Sequence, residues 1–261
     1  MKTVTSHDGT VIAYEQTGSG PALILVDGAL CYRSFGPMPK LAPLLAETFT
    51  VYYYDRRGRG DSTDVPPYAP EKEVQDIAAL VRAAGGTAFI AGLSSGAALA
   101  LRAAEAGLNL PKIALYEPPF VYEPGSDKTR IDHTGALNRL LSSEKRGAAV
   151  KYFMVQMVGV PAIVAFIMQM MPMFKKLKAI AHTLPYDSEV MGNFTVPTER
   201  LARITNTILI AGGGKSPEPL KNAVRGVAAA GPNAELRWLE GQTHNVDPAV
   251  LAGVLKEFFT H

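Results

Sequence analysis

The sequence predicts an α/β fold: a mostly parallel sheet covered by helices on both faces. Three observations carry this. Short apolar runs of the buried-strand type alternate with helical segments along the chain. One joint, between the run 87–91 and the Ala- and Leu-rich stretch 97–108, encloses Gly92-Leu93-Ser94-Ser95-Gly96. A G-x-S-x-G between strand and helix is the pattern of a sharp turn that exposes a serine hydroxyl, its glycines leaving room for close backbones. Finally, the alternation is broken only once, from about 120 to 197, by a methionine-rich helical stretch.

Residues 4–16 read as a hairpin turning at Asp8-Gly9. After the 17–21 loop, 22–26 is a buried strand, 39–48 a helix and 50–54 a further strand. A helix over 71–84 places Val74, Ile77, Ala78 and Val81 on one face. The strand and helix around Ser94 follow, then a strand at 112–116. Beyond the interruption, 207–211 and 235–239 resume the strand pattern, and 249–259 closes the chain as a helix.

The 261 residues are 47% hydrophobic and 19% charged, which suits a globular protein with a substantial core. The formal charge of +2 does not argue for nucleic acid, and no basic cluster is interleaved with stacking aromatics. A single cysteine, Cys31, allows no internal disulfide and builds no metal site alone, so a reducing, cytoplasmic setting is expected. The polar N-terminus shows no apolar signal core. Residues 152–174 carry no charge and are long enough to span a bilayer. Gln156, Gly159, Pro161, Gln169 and Pro172 interrupt that run, and it lies between strands of one sheet. A lid over a pocket is therefore expected in place of a membrane crossing.

Four motifs occur in order: Val26-Asp27-Gly28, the run from Asp55 to Ser62 (DRRGRGDS), the Gly92–Gly96 turn, and Gly241-Gln242-Thr243-His244. With them the chain resembles an α/β-hydrolase from end to end. The resemblance implies a core of 1–119 and 198–261 with a helical cap at 120–197. The second motif is similar to the family's D-x-R-G-x-G-x-S turn, which implies structural roles for Arg56, Arg57 and Arg59. Ser94 is the implied nucleophile, and a serine needs a base to remove its proton. Of His7, His133, His182, His244 and His261, only His244 follows the last strand, where this fold places its base.

The family commonly takes its acid from the loop after the strand at 207–211, but Lys215 stands there. A lysine beside His244 would disfavour the imidazolium, so another carboxylate is required. Glu117, at the end of the 112–116 strand, is preferred, because haloalkane dehalogenases and zearalenone-type lactone hydrolases draw their acid from that place. Glu218, Asp187 and Asp247 remain alternatives. The resemblance implies an oxyanion hole from the N–H groups of Ser95 and of Gly28 or Ala29. Asp27 stands where the family's loop has histidine, so its carboxylate must be turned away, paired, or bound to substrate. Cys31 reads as a packed residue.

The Asp-Gly loop, the Ser-Ser-Gly-Ala turn and the strand-end glutamate together most resemble zearalenone-type lactonases. Those enzymes carry a tryptophan in the cap. Here the one tryptophan is Trp238 on the last strand, and Phe174 fills the comparable place. Asp27, Leu30, Met154 and Phe174 are the expected pocket residues. The expectation is a serine hydrolase without metal or cofactor, cleaving an ester or lactone of an apolar or aromatic small molecule, since methionines adapt to irregular apolar shapes. Carbon–carbon bond hydrolysis or perhydrolysis by the same residues is the alternative. A ligand receptor is the non-enzymatic one. No nucleic-acid partner is expected, and a homodimer is compatible with the chain. Dehalogenase and epoxide hydrolase chemistry would need an aspartate at position 94.

Overall fold

The computed structural model describes residues 1–261. Strands Lys2–Thr5 (β1) and Val11–Thr17 (β2) form the hairpin, with Thr5 opposite Val11. There follow Ala22–Val26 (β3), Met38–Leu45 (α1), Thr50–Tyr54 (β4), Pro70–Ala83 (α2), Phe89–Leu93 (β5), Ser95–Glu105 (α3) and Lys112–Tyr116 (β6). Six helices then interrupt the alternation: His133–Ser142 (α4), Arg146–Tyr152 (α5), Ala162–Met168 (α6), Met173–Ala179 (α7), Leu184–Met191 (α8) and Thr198–Leu201 (α9). The chain returns through Thr207–Gly213 (β7), Glu218–Ala230 (α10), Ala234–Leu239 (β8) and Pro248–Thr260 (α11).

The eight strands form one sheet in the order β1-β2-β4-β3-β5-β6-β7-β8, and only the β1–β2 and β2–β4 pairs are antiparallel. This is the α/β-hydrolase fold. Alternate residues of a strand point to opposite faces. Accordingly Leu23 and Leu25 join the core under α1 and α11, while Ile24 and Val26 join the core under α2, α3 and α10. Burial on both faces is why the central strands are continuous apolar runs.

Two departures from the sequence expectation have a clear physical cause. The strand before the turn runs over Phe89–Leu93, two residues later than 87–91, because Gly92 and Leu93 still pair with Val26 and Tyr116. Helix α10 was not expected at all. Its buried stripe of Ala223, Val224 and Val227 is small-chained and leaves little periodic signal. The uncharged run 152–174 is broken into the end of α5, a single π-helical turn at Phe153–Met157, α6 and the start of α7. No helix is long and apolar enough to cross a membrane.

Candidate active site

The candidate residues gather at the C-terminal ends of β3, β5 and β6, three adjacent central strands. Five non-glycine residues have positive φ, and three of them lie here: Leu30 (58°), Ser94 (55°) and Glu117 (46°). Such conformations cost on the order of 1–3 kcal/mol each and persist only where the surroundings enforce them. At the β5 turn the enforcement is steric. A Cβ on Gly92 would lie 2.3 Å from the Gly96 carbonyl oxygen, and one on Gly96 would lie 2.3 Å from the Val26 oxygen. The Ser94 N–H donates to the Tyr116 carbonyl at 2.9 Å, and the Glu117 N–H to that of Ala211 at 3.0 Å. Strand pairing therefore carries straight into the site.

Ser94, His244 and Glu117 form a continuous chain of hydrogen bonds. His244 Nδ1 lies 2.7 Å from Glu117 Oε2, and His244 Nε2 lies 3.2 Å from Ser94 Oγ. An ionised carboxylate only accepts, so Nδ1 carries the ring proton and leaves Nε2 free to accept from the serine. Glu117 is fully buried, and its Oε1 accepts the Gly213 N–H at 2.7 Å. Burial opposes its charge, but the hydrogen bonds from His244 and Gly213 outweigh it and hold the carboxyl below the usual glutamate range. The Tyr116 hydroxyl donates to the Thr243 carbonyl at 2.6 Å and pins the loop that carries His244.

The three alternative carboxylates are engaged elsewhere. Glu218 is exposed and paired with Arg225, and Asp247 caps α11 by accepting the Ala249 N–H. Asp187 lies at the centre of a buried ionic network. Lys215 is exposed, held in the loop through its own N–H to the Gln242 carbonyl.

Of the expected oxyanion donors, the Ser95 and Ala29 N–H groups have no acceptor within the protein. The Gly28 N–H is taken by Asp27 Oδ1 at 3.1 Å, which leaves Ala29 as the unengaged loop donor. Gly28 packs directly on the nucleophile candidate: a Cβ there would lie 3.1 Å from Ser94 Cβ and 3.7 Å from its Oγ. Asp27 is buried, its Oδ2 has no partner, and burial pushes its carboxyl up to about 7 against the pull of Arg59 and Arg56. Burial and the neighbouring Asp27 likewise raise the Cys31 thiol, so it is not a ready thiolate.

The arginines of the second motif are structural. Arg56 makes a two-pronged pair with Glu73, both bonds at 2.7 Å, and reaches Asp187 Oδ1 at 2.7 Å. Arg59 takes Asp187 Oδ2 at 2.7 Å and donates to the Gly28 carbonyl at 2.7 Å. Arg57 pairs with Asp76 and Asp8. Although burial opposes it, the two guanidiniums keep Asp187 ionised below the usual range. The same carboxylate accepts the Ser95 hydroxyl at 2.8 Å. Asp187 comes from α8, 92 residues from Ser95, and no local pattern could have announced that contact.

Among the expected pocket residues, Asp27 and Leu30 are buried in the loop after β3, and Phe174 is buried against Gly147 of α5. Met154 is half-buried in the π-helical turn. Trp238 lies on β8 under the Arg225 guanidinium, outside this cluster. A cleft of about 490 Å³ between α3, α8 and α9 includes Arg102, Phe120 and Arg200 in its lining, but none of Ser94, His244 or Glu117. No group of three or more histidine, cysteine or acidic side chains is placed to hold a metal ion.

The sheet order, and a strained serine between β5 and α3 bonded to a histidine after β8, define a protein of the α/β-hydrolase class. The chain matches the model of the Alpha/beta hydrolase family over residues 18–254 and belongs to that family. It is 48% identical to an alpha/beta hydrolase from Sphaerobacter thermophilus, covering 99% of this chain and 100% of the other, with a TM-score of 0.92. Two more distant structures share the fold. A thermophilic esterase from Thermogutta terrifontis has 19% identity and a TM-score of 0.74, covering 99% of this chain and 97% of the esterase. A 2-hydroxy-6-oxo-6-phenylhexa-2,4-dienoate hydrolase from Rhodococcus has 18% identity and a TM-score of 0.68, covering 100% and 99%.

Proposed function

We propose that this hydrolase cleaves a carboxylic ester or lactone of an apolar or aromatic small molecule through an acyl-enzyme. The observation that carries the reading is the unbroken Ser94–His244–Glu117 chain, with its 3.2 Å and 2.7 Å links. Ser94 Oγ attacks the carbonyl carbon while Nε2 of His244 takes its proton. Glu117 fixes the ring tautomer and stabilises the imidazolium that forms. The unengaged N–H groups of Ser95 and Ala29 meet the negative charge developing on the carbonyl oxygen. His244 then protonates the leaving oxygen, and water, deprotonated by the same nitrogen, releases the acid and restores Ser94. The insertion between β6 and β7 acts as the cap, with Leu30, Met154 and Phe174 as its apolar contacts.

A fluorophosphonate probe followed by intact-mass measurement tests the reading. One adduct per chain is expected, lost in Ser94→Ala and retained in Ser95→Ala. A protein that takes up no probe would be a binding protein on this fold. The same relay suits carbon–carbon bond hydrolysis of a vinylogous diketone, and the Rhodococcus protein above is a hydrolase of 2-hydroxy-6-oxo-6-phenylhexa-2,4-dienoate. A panel of aryl esters, lactones and vinylogous diketones separates the two, with turnover expected on the first two groups.

A further inference from the structure

Helix α6 turns most of its apolar side chains to solvent. Of its seven residues only Ala165 is buried. Ile163 (65% exposed), Phe166 (53%), Ile167 (50%) and Met170 (69%) present a continuous apolar surface with Val164 and Met171. A surface of this kind on a monomer marks an interaction site. The charge of the flanking sequence is equally one-sided. From Lys145 to Tyr186 the chain carries six cations, Lys145, Arg146, Lys151, Lys175, Lys176 and Lys178, and no acidic residue. All six are exposed, and none forms an ion pair. Helices α5 and α7, which carry five of them, pack on each other, and Arg146 Nη1 donates to the Ala179 carbonyl at 2.9 Å. Lys151 and Lys175 bracket the uncharged run on its two sides.

We infer that the helical insertion docks reversibly on an anionic phospholipid surface, with the α6 side chains entering the headgroup boundary and the α5 and α7 cations meeting lipid phosphates. An apolar helical face flanked by lysines is the pattern of an interfacial element. Anionic headgroups attract each such cation while free phosphate leaves the apolar face uncovered. A second copy of this chain is a poorer occupant, because pairing the face with itself sets the same unpaired cations against each other. With α6 only seven residues long, the contact is peripheral.

Co-sedimentation with vesicles tests it, comparing equal parts phosphatidylglycerol and phosphatidylcholine with phosphatidylcholine alone. Binding is expected only to the anionic vesicles, and raising salt from about 0.1 M to about 1 M should release the protein. The variant Ile163→Ser/Phe166→Ser/Met170→Ser should lose binding, and Lys151→Glu/Lys175→Glu should weaken it roughly tenfold or more. Both should keep the parent's Tm, since every changed side chain is exposed, and Val250→Ser on α11 should bind like the parent. Four results would overturn the inference: no binding to either vesicle, equal binding to both, binding indifferent to the apolar triple change, or a concentration-dependent dimer that the triple change dissolves in the absence of vesicle binding.

Discussion

The Ser95 hydroxyl donates to Asp187 Oδ1 across 2.8 Å, tying the residue after Ser94 to helix α8 of the insertion. Around that contact Arg56 and Arg59 divide the two oxygens of Asp187, and Arg59 continues to the Gly28 carbonyl. One buried carboxylate thus braces both backbone segments that face the reacting carbonyl in the proposed mechanism. Replacing Asp187 with Asn leaves the buried Arg59 guanidinium without an anion and Arg56 with Glu73 alone. The expected loss is about 3–5 kcal/mol, read as a Tm drop on the order of 10 °C. Ser95→Ala removes one hydrogen bond and should cost only about 1 kcal/mol. An Asp187→Asn protein that melts with the parent would show that the network contributes no net stability.

Glu117→Gln tests the assignment of the acid. A glutamine there can still accept the Gly213 N–H, but its amide nitrogen faces His244 Nδ1 and favours the tautomer whose Nε2 carries the proton. The turnover number should fall about 10⁴-fold with KM little changed. Lys215→Ala should leave both constants near the parent values, because that side chain points to solvent. Retention of full turnover in Glu117→Gln would return the role to another carboxylate.

Much of this site was legible in the sequence because its signals are local. The two glycines around Ser94 are demanded by backbone approaches of 2.3 Å, and steric demands of that kind leave residue patterns. Lys215 in the usual acid position is equally readable, and a cation there requires a carboxylate from elsewhere, which the strand-end Glu117 supplies. What stayed hidden is long-range. Asp187 is visible in the sequence as a candidate acid but not as the brace of Ser95, since nothing near either residue encodes the other. The engagement of the Gly28 N–H by Asp27 is local, yet it depends on a side-chain rotamer that composition does not determine. Helix α10 is faint in the sequence for a different reason: its small buried side chains give a weak periodic contrast.

Asp27 makes stability depend on pH in a definite direction. Burial raises its carboxyl from an ordinary value of 3.8 to about 7, with Arg59 and Arg56 pulling the other way. Between those values the folded protein holds a proton that the unfolded chain has released. Stability therefore falls as pH rises through that window and stays lowered above about 7, by about 4 kcal/mol at the limit. Asparagine mimics the neutral carboxyl and can keep the contact with the Gly28 N–H. The Tm of Asp27→Asn relative to the parent should thus be higher at pH 8 than at pH 5. Melting curves that shift in parallel across this range would show that Asp27 is ionised throughout.

Gly28→Ala should separate positioning of the nucleophile from stability of the fold. Gly28 does not have positive φ, so alanine fits the backbone conformation there. The added methyl would meet the Leu93 carbonyl oxygen and Ser94 Cβ, each at 3.1 Å, tighter than ordinary contact. Relief requires Ser94 or the loop to move by a few tenths of an ångström, and the hydroxyl lies only 3.7 Å from the new methyl. Displacements below 1 Å at a reacting group can cost up to about 10²-fold in rate. The expected result is a turnover number lowered roughly 10- to 100-fold, slower labelling by the fluorophosphonate probe, and a stability loss of about 1–3 kcal/mol. Parent-like labelling in a folded Gly28→Ala protein would mean that the loop yields without moving Ser94, and that the serine owes its position to the Gly92 and Gly96 contacts alone.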